Sequence, residues 1–302
     1  MRKPTNILKL GLPKGSLEKA TLDLMARAGY EVEDSERSDI RKTADPEVEV
    51  LMFRAQEMSI FVKDGVLDAG LTGKDWIAEN RCKSHVRVVR DLLYAKARMV
   101  PVRWVLAVPE ESKVRNVEDL EGGLVATELV KVTRQFFASR GVAAKVEYSW
   151  GSTEIKARFP GVSAIVDVTE TGSTLKANSL REIATVMYSN TQFIANRNSW
   201  QDRWRRDKIE NLGLLLQGAI DAKEMVGLKM NVPTTLENKI VAMLPAEHSP
   251  TISLLHKKEV QEKDWLAFEV ILPASQEREL VPKLKKAGAS GIIVYPLNKV
   301  IH

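Results

Sequence analysis

The chain has 302 residues, of which 44% are hydrophobic, and its 45 Lys and Arg against 40 Asp and Glu give a formal net charge of +5. This length and apolar content predict two or three domains, each with its own core. The small charge excess gives no indication of a nucleic-acid partner. The sequence contains no run of about 18 apolar residues, so we expect no membrane-spanning helix. The single cysteine, Cys82, excludes an internal disulfide and is expected to be a small buried residue. We therefore expect a cytoplasmic protein.

The N-terminal part repeats a strand, a loop and a helix three times. "ILKLGL" (7–12) is a predicted strand, followed by a helix that Ser16 would cap and Gly29 would end. "VEVLMF" (48–53) precedes a helix in "AQEMSIFVKDG", and "AGLTG" (69–73) precedes a helix that begins at Lys74. This alternation predicts an α/β layer with a largely parallel sheet.

A second α/β lobe is predicted from about residue 101. "VRWVLAVP" (102–109) has the pattern of a buried strand, and "ELVKVTRQFFASRG" (128–141) that of an amphipathic helix. Residues 198–224 then have the pattern of one continuous helix, and the arginines on it are interpreted as a solvated face rather than a nucleic-acid patch.

The last 80 residues predict the element order βαββαβ. Strands in "GLKMNVP", "TISLLH", "LAFEVILP" and "GIIVYPL" alternate with two helices, the first with Thr234 and Glu237 at capping-box spacing. This order is typical of a ferredoxin-like domain, a small sheet with two helices on one face.

The stretch "IVDVTETGSTLKAN" (165–178) carries the clearest chemical signal. Asp167 is placed near the carboxyl end of a buried strand, where ligands bind in open parallel sheets. Past Glu170, the amides and hydroxyls of residues 171–174 would form a phosphate cradle at the start of a helix from Leu175, and Gly172 would allow close approach. The two acids fit a ligand that also has hydroxyls or a cation, as a ribose phosphate with magnesium does. A capped helix start with two solvated acids explains these residues equally well.

Four stretches in series resemble the ATP phosphoribosyltransferase family, over nearly the whole chain. They are "SAIVDVTETGSTLKAN", "LKLGLPKGSLEKATLDLMARAGY", "LDAGLTGKDWIAEN" and "TRQFFASRG", with the tail "LKKAGASGIIVYPLNKVI" resembling the regulatory domain of the long form. The resemblance implies an α/β fold with a two-lobed catalytic region like type II periplasmic binding proteins and a C-terminal ferredoxin-like domain. Lobe I would comprise residues 1–94 and about 190–222, lobe II residues 95–189, and the regulatory domain residues 225–302.

The resemblance also implies a reaction. N1 of ATP would attack the anomeric carbon of phosphoribosyl diphosphate, releasing diphosphate and forming N1-(5-phospho-β-D-ribosyl)-ATP, with Mg²⁺ required. Positioning and charge stabilisation would carry catalysis, without a general-base triad. The substrate-binding residues implied are Lys14, Gly15, Thr72, Gly73, Asp75, Asp167, Glu170, Thr171, Gly172, Ser173 and Thr174. Asp167 and Glu170, or the diphosphate itself, would hold the metal.

Three positions depart from the family pattern. Many relatives have Arg where Ser16 stands, and "IKARFPGVS" (155–163) replaces a Gly-containing segment. The entry to the second lobe, residues 94–104, is also unusual. Its Lys96, Arg98 and Arg103 are candidate phosphate contacts.

The C-terminal domain is expected to control the enzyme. The long form implies that L-histidine binds there and inhibits, in a homo-oligomer that would be a dimer or a hexamer. Gly288, Ala289 and Ser290 are the candidate histidine site, and a helix C-cap explains the same residues.

Two other functions fit parts of the pattern. Prephenate dehydratase pairs a similar catalytic region with a βαββαβ domain, and "SNTQFIANR" resembles its motif, but Gln192 replaces the expected arginine. A cytoplasmic solute-binding sensor fits the two lobes and predicts ligand binding without turnover.

Overall fold

A computed structural model describes residues 6–33, 38–94, 101–245, 249–256 and 264–301. Its first elements are β1 (Leu8–Pro13), α1 (Glu18–Ala28), β2 (Ile40–Lys42), β3 (Val48–Phe53), α2 (Ala55–Lys63), β4 (Ala69–Gly73), α3 (Lys74–Glu79) and β5 (Val86–Leu92). The predicted end of α1 is confirmed, because Gly29 takes the left-handed conformation with φ 93°. The predicted start is wrong: Leu17 is the N-cap residue, no side chain caps the helix, and Ser16 lies outside it.

The next elements are β6 (Val102–Pro109), β7 (Leu124–Thr127), α4 (Val130–Ala138), β8 (Lys145–Tyr148), α5 (Thr153–Lys156), β9 (Val162–Thr169), α6 (Ser173–Ala177) and β10 (Leu180–Ser189). Strand β6 has the predicted bounds. Strand β10 escaped prediction because it pairs only with β6 and carries two irregularities, between Glu182 and Ala184 and between Thr185 and Met187. Such bulges destroy the two-residue alternation by which a strand is recognised.

The chain continues through β11 (Thr191–Asn196), α7 (Arg197–Gln201) and α8 (Arg203–Asp221). The prediction of one continuous helix over 198–224 is therefore wrong. Asp202 adopts an extended conformation, φ −70° and ψ 121°, and separates the two helices. Its Oδ1 accepts a hydrogen bond of 2.8 Å from the Arg205 amide, which caps the start of α8.

These strands form two mixed sheets, ordered β2-β3-β1-β4-β11-β5 and β10-β6-β9-β7-β8, and we call the layers around them lobe I and lobe II. Strand β1 pairs in parallel with β3 and β4, and β7 in parallel with β8 and β9. The other pairs are antiparallel, so the prediction of a largely parallel sheet is wrong. The reason is the route of the chain, which leaves lobe I after β5 and returns from β10 into β11.

Cys82 lies in the core of lobe I, fully buried beside Met58, Val62 and Ile77, as expected. The boundary between the two compact units of the chain falls between Gly213 and Leu214, within α8. In the described part of the chain, no helix is both long and apolar enough to span a membrane.

The second unit contains β12 (Met225–Pro233), α9 (Glu237–Val241), β13 (Thr251–Leu254), β14 (Trp265–Pro273), α10 (Ala274–Ala287) and β15 (Ser290–Pro296). The element order βαββαβ is the predicted one, and the sheet is antiparallel with the order β13-β14-β12-β15. Ile240 and Leu284 from the helices pack on one face of the sheet with Met230 and Phe268. The predicted capping box does not form, because the N-cap residue of α9 is Leu236.

Candidate active site

A cavity of about 960 Å³ lies between the lobes. Turns after three lobe I strands form one wall: residues 13–18 after β1, 54–56 after β3, and residues 73, 75 and 76 at the end of β4. Glu128, after β7, and residues 167–171, 173 and 174, around the end of β9, form the lobe II wall, whereas the predicted Gly172 does not line the cavity. The chain segments that connect the lobes complete the lining. The predicted binding turns thus meet at the carboxyl ends of parallel strands.

The lobe I wall supplies two cations. Lys14, a predicted site residue, lines the cavity and forms an ion pair with Asp39. Arg54 also lines the cavity, is exposed, and forms no ion pair with another described residue. Sequence reasoning missed Arg54, although it follows the end of β3 as Lys14 follows the end of β1. That shared position at a strand end was the available signal.

The lobe II wall supplies carboxylates. Asp167 accepts a hydrogen bond of 2.8 Å at Oδ1 from the amide of Val168. Burial and, to a smaller extent, the nearby carboxylates of Glu154 and Glu128 nevertheless raise the pKa of Asp167 to about 6. Glu170 lines the cavity as predicted. Glu128 also lines it, but the sequence did not identify it as a site residue. The wall therefore concentrates acceptors suited to ligand hydroxyls.

The predicted phosphate turn is held by its own side chains. The amide of Gly172 donates to Thr169 Oγ1 at 2.8 Å, and Gly172 adopts φ 78°, a left-handed conformation that favours glycine. The hydroxyl of Thr171 donates to that of Ser173 at 3.0 Å. The amide of Thr174 has no hydrogen-bond partner among the described residues, as is usual in a first helical turn. Helix α6 has only five residues, so its dipole contributes less than expected.

The predicted residues at the end of β4 have structural partners. Thr72 does not line the cavity: it is buried, and its hydroxyl donates to the carbonyl of Ala55 at 2.8 Å. Gly73 is at the cavity, where a Cβ atom would come within 1.9 Å of Asp75 Oδ1. Asp75 also lines the cavity, but its Oδ2 accepts a hydrogen bond of 2.7 Å from the indole of Trp104. Burial raises the pKa of Asp75.

The unusual lobe II entry lines the cavity with Tyr94, Val102 and Trp104. Arg103 is paired with Glu182, at 3.1 Å between Nη2 and Oε2, and does not line it. Lys96 and Arg98 lie outside the described residues. Lys156, in the divergent 155–163 segment, donates to Ser149 Oγ at 2.8 Å.

Two other positions singled out in the sequence have structural roles outside the cavity. Gln192, which replaces the arginine expected in prephenate dehydratase, is buried and donates to Asp91 Oδ1 at 2.7 Å. Gly288 ends α10 with φ 113°, and Ala289 is buried with its amide bonded to the Leu284 carbonyl. The helix C-cap therefore forms at the candidate histidine site.

The carboxylates of the cavity do not by themselves form a metal centre. Within the described ranges, no group of three or more His, Cys, Asp and Glu residues could hold a metal ion. Mg²⁺, however, is commonly bound through one or two carboxylates together with substrate phosphates. Asp167 and Glu170 fit that kind of shared site.

The geometry defines a class of protein: two α/β lobes with a ligand cleft that has cations on one wall and acids and hydroxyls on the other. Family models described as "ATP phosphoribosyltransferase" and "HisG, C-terminal domain" match residues 54–218 and 222–299. An ATP phosphoribosyltransferase of Pelodictyon phaeoclathratiforme is 52% identical over 98% of both chains, and one of Chlorobium luteolum is 51% identical over 100% of both. The solved ATP phosphoribosyl transferase (HisG:HisZ) complex from Thermotoga maritima is 26% identical, with a TM-score of 0.59 over 71% of this chain and 98% of that one.

The chain belongs to the ATP phosphoribosyltransferase family. Its activity is the transfer of the phosphoribosyl group of phosphoribosyl diphosphate to N1 of ATP, the first step of histidine biosynthesis. The predicted family and function are confirmed, and the prephenate dehydratase and sensor alternatives are not supported.

Proposed function

We propose that the cleft binds the two substrates on opposite walls. The 5-phosphate of phosphoribosyl diphosphate would lie on the 171–174 turn of lobe II, and the diphosphate and ATP phosphates near Lys14 and Arg54 of lobe I. The observation that carries this proposal is the position of both sets at carboxyl strand ends around one cavity. The free amide of Thr174 can bind a phosphate, and the hydroxyls of residues 171, 173 and 174 add donors.

The acids of lobe II would act on the ribose. Ionised Asp167 and Glu170 accept hydrogen bonds from its hydroxyls and orient the anomeric carbon toward the adenine. Positive charge develops on the ribose in an oxocarbenium-like transition state, and nearby carboxylates stabilise it. Arg54 and Lys14 stabilise the charge on the departing diphosphate.

Mg²⁺ would be shared between the substrate and the protein. When bound, the ion would neutralise charge on the leaving group. Asp167 and Glu170 would supply protein oxygens on the lobe II side.

Thr174 provides the test of the phosphate turn. Turnover is followed by absorbance with ATP, phosphoribosyl diphosphate and Mg²⁺, with pyrophosphatase added to remove the product. Thr174→Ala should weaken phosphoribosyl diphosphate binding roughly tenfold to more than a hundredfold, the effect of one hydrogen bond to a charged group. Thr174→Ser should retain most of the affinity. Equal affinity in all three proteins would refute this placement.

The second unit would be the regulatory domain, covering residues 225–302. Its element and strand order support a ferredoxin-like domain. The chain passes from lobe I (1–94) into lobe II (95–189) and back into lobe I (about 190–222), which supports an arrangement like that of periplasmic binding proteins. We assign histidine binding to the neighbourhood of Gly288, Ala289 and Ser290, in a cytoplasmic homo-oligomer.

Calorimetry with histidine tests the regulatory assignment. The intact enzyme should bind and be inhibited by histidine, while deletion of the chain after residue 224 should abolish both effects. Histidine binding of undiminished affinity to the shortened chain would contradict the assignment.

A further inference from the structure

Helix α3 belongs to lobe I by sequence but makes specific contacts with lobe II. Its Asp75 accepts the Trp104 indole hydrogen bond, and the Asp75 amide donates to Ser189 Oγ at 3.1 Å. Trp76 packs edge-on against Trp104, with 6.1 Å between ring centroids and an interplanar angle of 89°. These contacts join lobe I to β6 and to the end of β10.

Glu79, at the end of the same helix, extends this connection to α4. Its two carboxylate oxygens each accept a hydrogen bond of 2.9 Å from the Lys131 amide, and Oε2 accepts one of 3.0 Å from the Val132 amide. The N-cap residue of α4, Leu129, has no polar side chain with which to cap the helix. A buried carboxylate from one lobe thus satisfies the first-turn amides of a helix in the other.

The capped turn is also part of the cavity. Glu128, three residues before Lys131, lines the lobe II wall, and Gln56 of lobe I approaches its Oε2 to 3.4 Å. Any rotation of the lobes that separates α3 from α4 breaks the cap and moves Glu128 away from lobe I. The cap is therefore available only near this interlobe angle.

We infer that α3 is an interlobe clasp and that Glu79 is a positioning residue for the transfer reaction. It holds the two walls opposed before substrates bind, so that binding does not have to supply the free energy of ordering them. The inference rests on the proposal that both walls contact substrate. Glu79 would therefore affect substrate affinity although it does not contact the substrate.

Three variants of the full-length enzyme test the kinetic consequence. Glu79→Ala should raise KM for both substrates roughly three- to tenfold while kcat at saturation changes little, since the open state then competes with binding. Glu79→Gln keeps one acceptor oxygen, so its KM values should lie between those of Glu79→Ala and those of the unchanged enzyme. Glu121→Ala is the control, because Glu121 accepts a 2.8 Å bond from the Ala143 amide within lobe II alone.

A distance measurement separates the clasp from simple stabilisation of α4. Spin labels are attached at Lys19→Cys in α1 and Lys145→Cys in β8, two exposed positions, while the buried Cys82 stays unlabelled. Without substrate, Glu79→Ala should broaden the interlobe distance distribution, and phosphoribosyl diphosphate with Mg²⁺ should restore it.

Unchanged KM values and unchanged distances in both Glu79 variants would overturn the inference. Should Glu79→Ala fail to fold, Glu79→Gln decides by the same two readouts. A different result, normal phosphoribosyl diphosphate affinity in Thr174→Ala together with altered distances in Glu79→Ala, would refute the proposed phosphate turn and leave the clasp standing.

Discussion

The two walls of the cleft differ in chemistry although both are built from strand ends. Lobe I presents the side-chain cations Lys14 and Arg54, whereas lobe II presents Asp167 and Glu170 beside a turn of hydroxyls and amides. Charged side chains interact with other charges over several ångströms, while amides and hydroxyls require direct hydrogen-bond geometry. Under the proposed function, lobe I would stabilise the charge of the leaving group and lobe II would determine where the ribose lies.

Loss of a lobe I cation should have the largest effect. We expect Arg54→Ala to lower kcat/KM by roughly a hundred- to a thousandfold, as found when one preorganised transition-state donor is removed. Steady-state kinetics will measure this, with Lys42→Ala, an exposed change on the edge strand β2, as the control. A loss confined to the KM of ATP would assign Arg54 to ATP binding and not to the leaving group.

A smaller effect is expected from a substitution that strains the lobe II turn. Gly172→Ala puts a side chain at φ 78°, which costs about 1–2 kcal/mol, and distorts the phosphate turn. We expect about tenfold weaker phosphoribosyl diphosphate binding by calorimetry, while ATP binding is retained. Gly161→Ala carries a similar backbone strain at φ 90° outside the 171–174 turn and should lower only stability. Equal loss of substrate affinity in both variants would contradict a specific role for the turn.

The pH dependence of the lobe II wall should be more modest. The pKa of Asp167 is about 6 in the free enzyme, so the carboxylate becomes protonated as pH falls through 6 and no longer accepts at both oxygens. The KM for phosphoribosyl diphosphate should therefore rise below pH 6. Asp167→Asn should have a raised KM that no longer changes over this range. A parallel pH profile in the variant would assign the titration to another group.

The same raised pKa has an effect on folding with a defined sign. Between the ordinary aspartate value of 3.8 and about 6, the folded chain binds more protons at Asp167 than the unfolded chain does. Stability should consequently fall as pH rises through this window, and Asp167→Asn should remove that contribution. Denaturant titrations at pH 4.5 and 7 would measure it.

The smallest effect on catalysis is expected at Thr72. Because its buried hydroxyl donates to the Ala55 carbonyl, Thr72→Val should cost about 1–3 kcal/mol of stability. Activity per folded molecule should change less than threefold, as judged by kinetics corrected for the folded fraction. A large loss at full folding would restore Thr72 to the binding site.

The sequence predicted those features that depend on local pattern. Strands β3 and β6 have their predicted bounds, and the turn between Asp167 and Thr174 lies at the end of a buried strand, because apolar runs and glycines act within a few residues. Arg54 and Glu128 were missed because β3 and β7 belong to different sheets, and only the packing of the two lobes brings their ends to one cavity. The same holds for the Glu79 cap, which joins residues 52 positions apart.

The position of the 5-phosphate tests the central claim most directly. A crystal structure of the enzyme with phosphoribosyl diphosphate and Mg²⁺ should place that phosphate within about 2.7–3.2 Å of the Thr174 amide, with the diphosphate directed toward Arg54. A 5-phosphate bound beside Lys14 and Arg54, with no ligand on the 171–174 turn, would contradict the account.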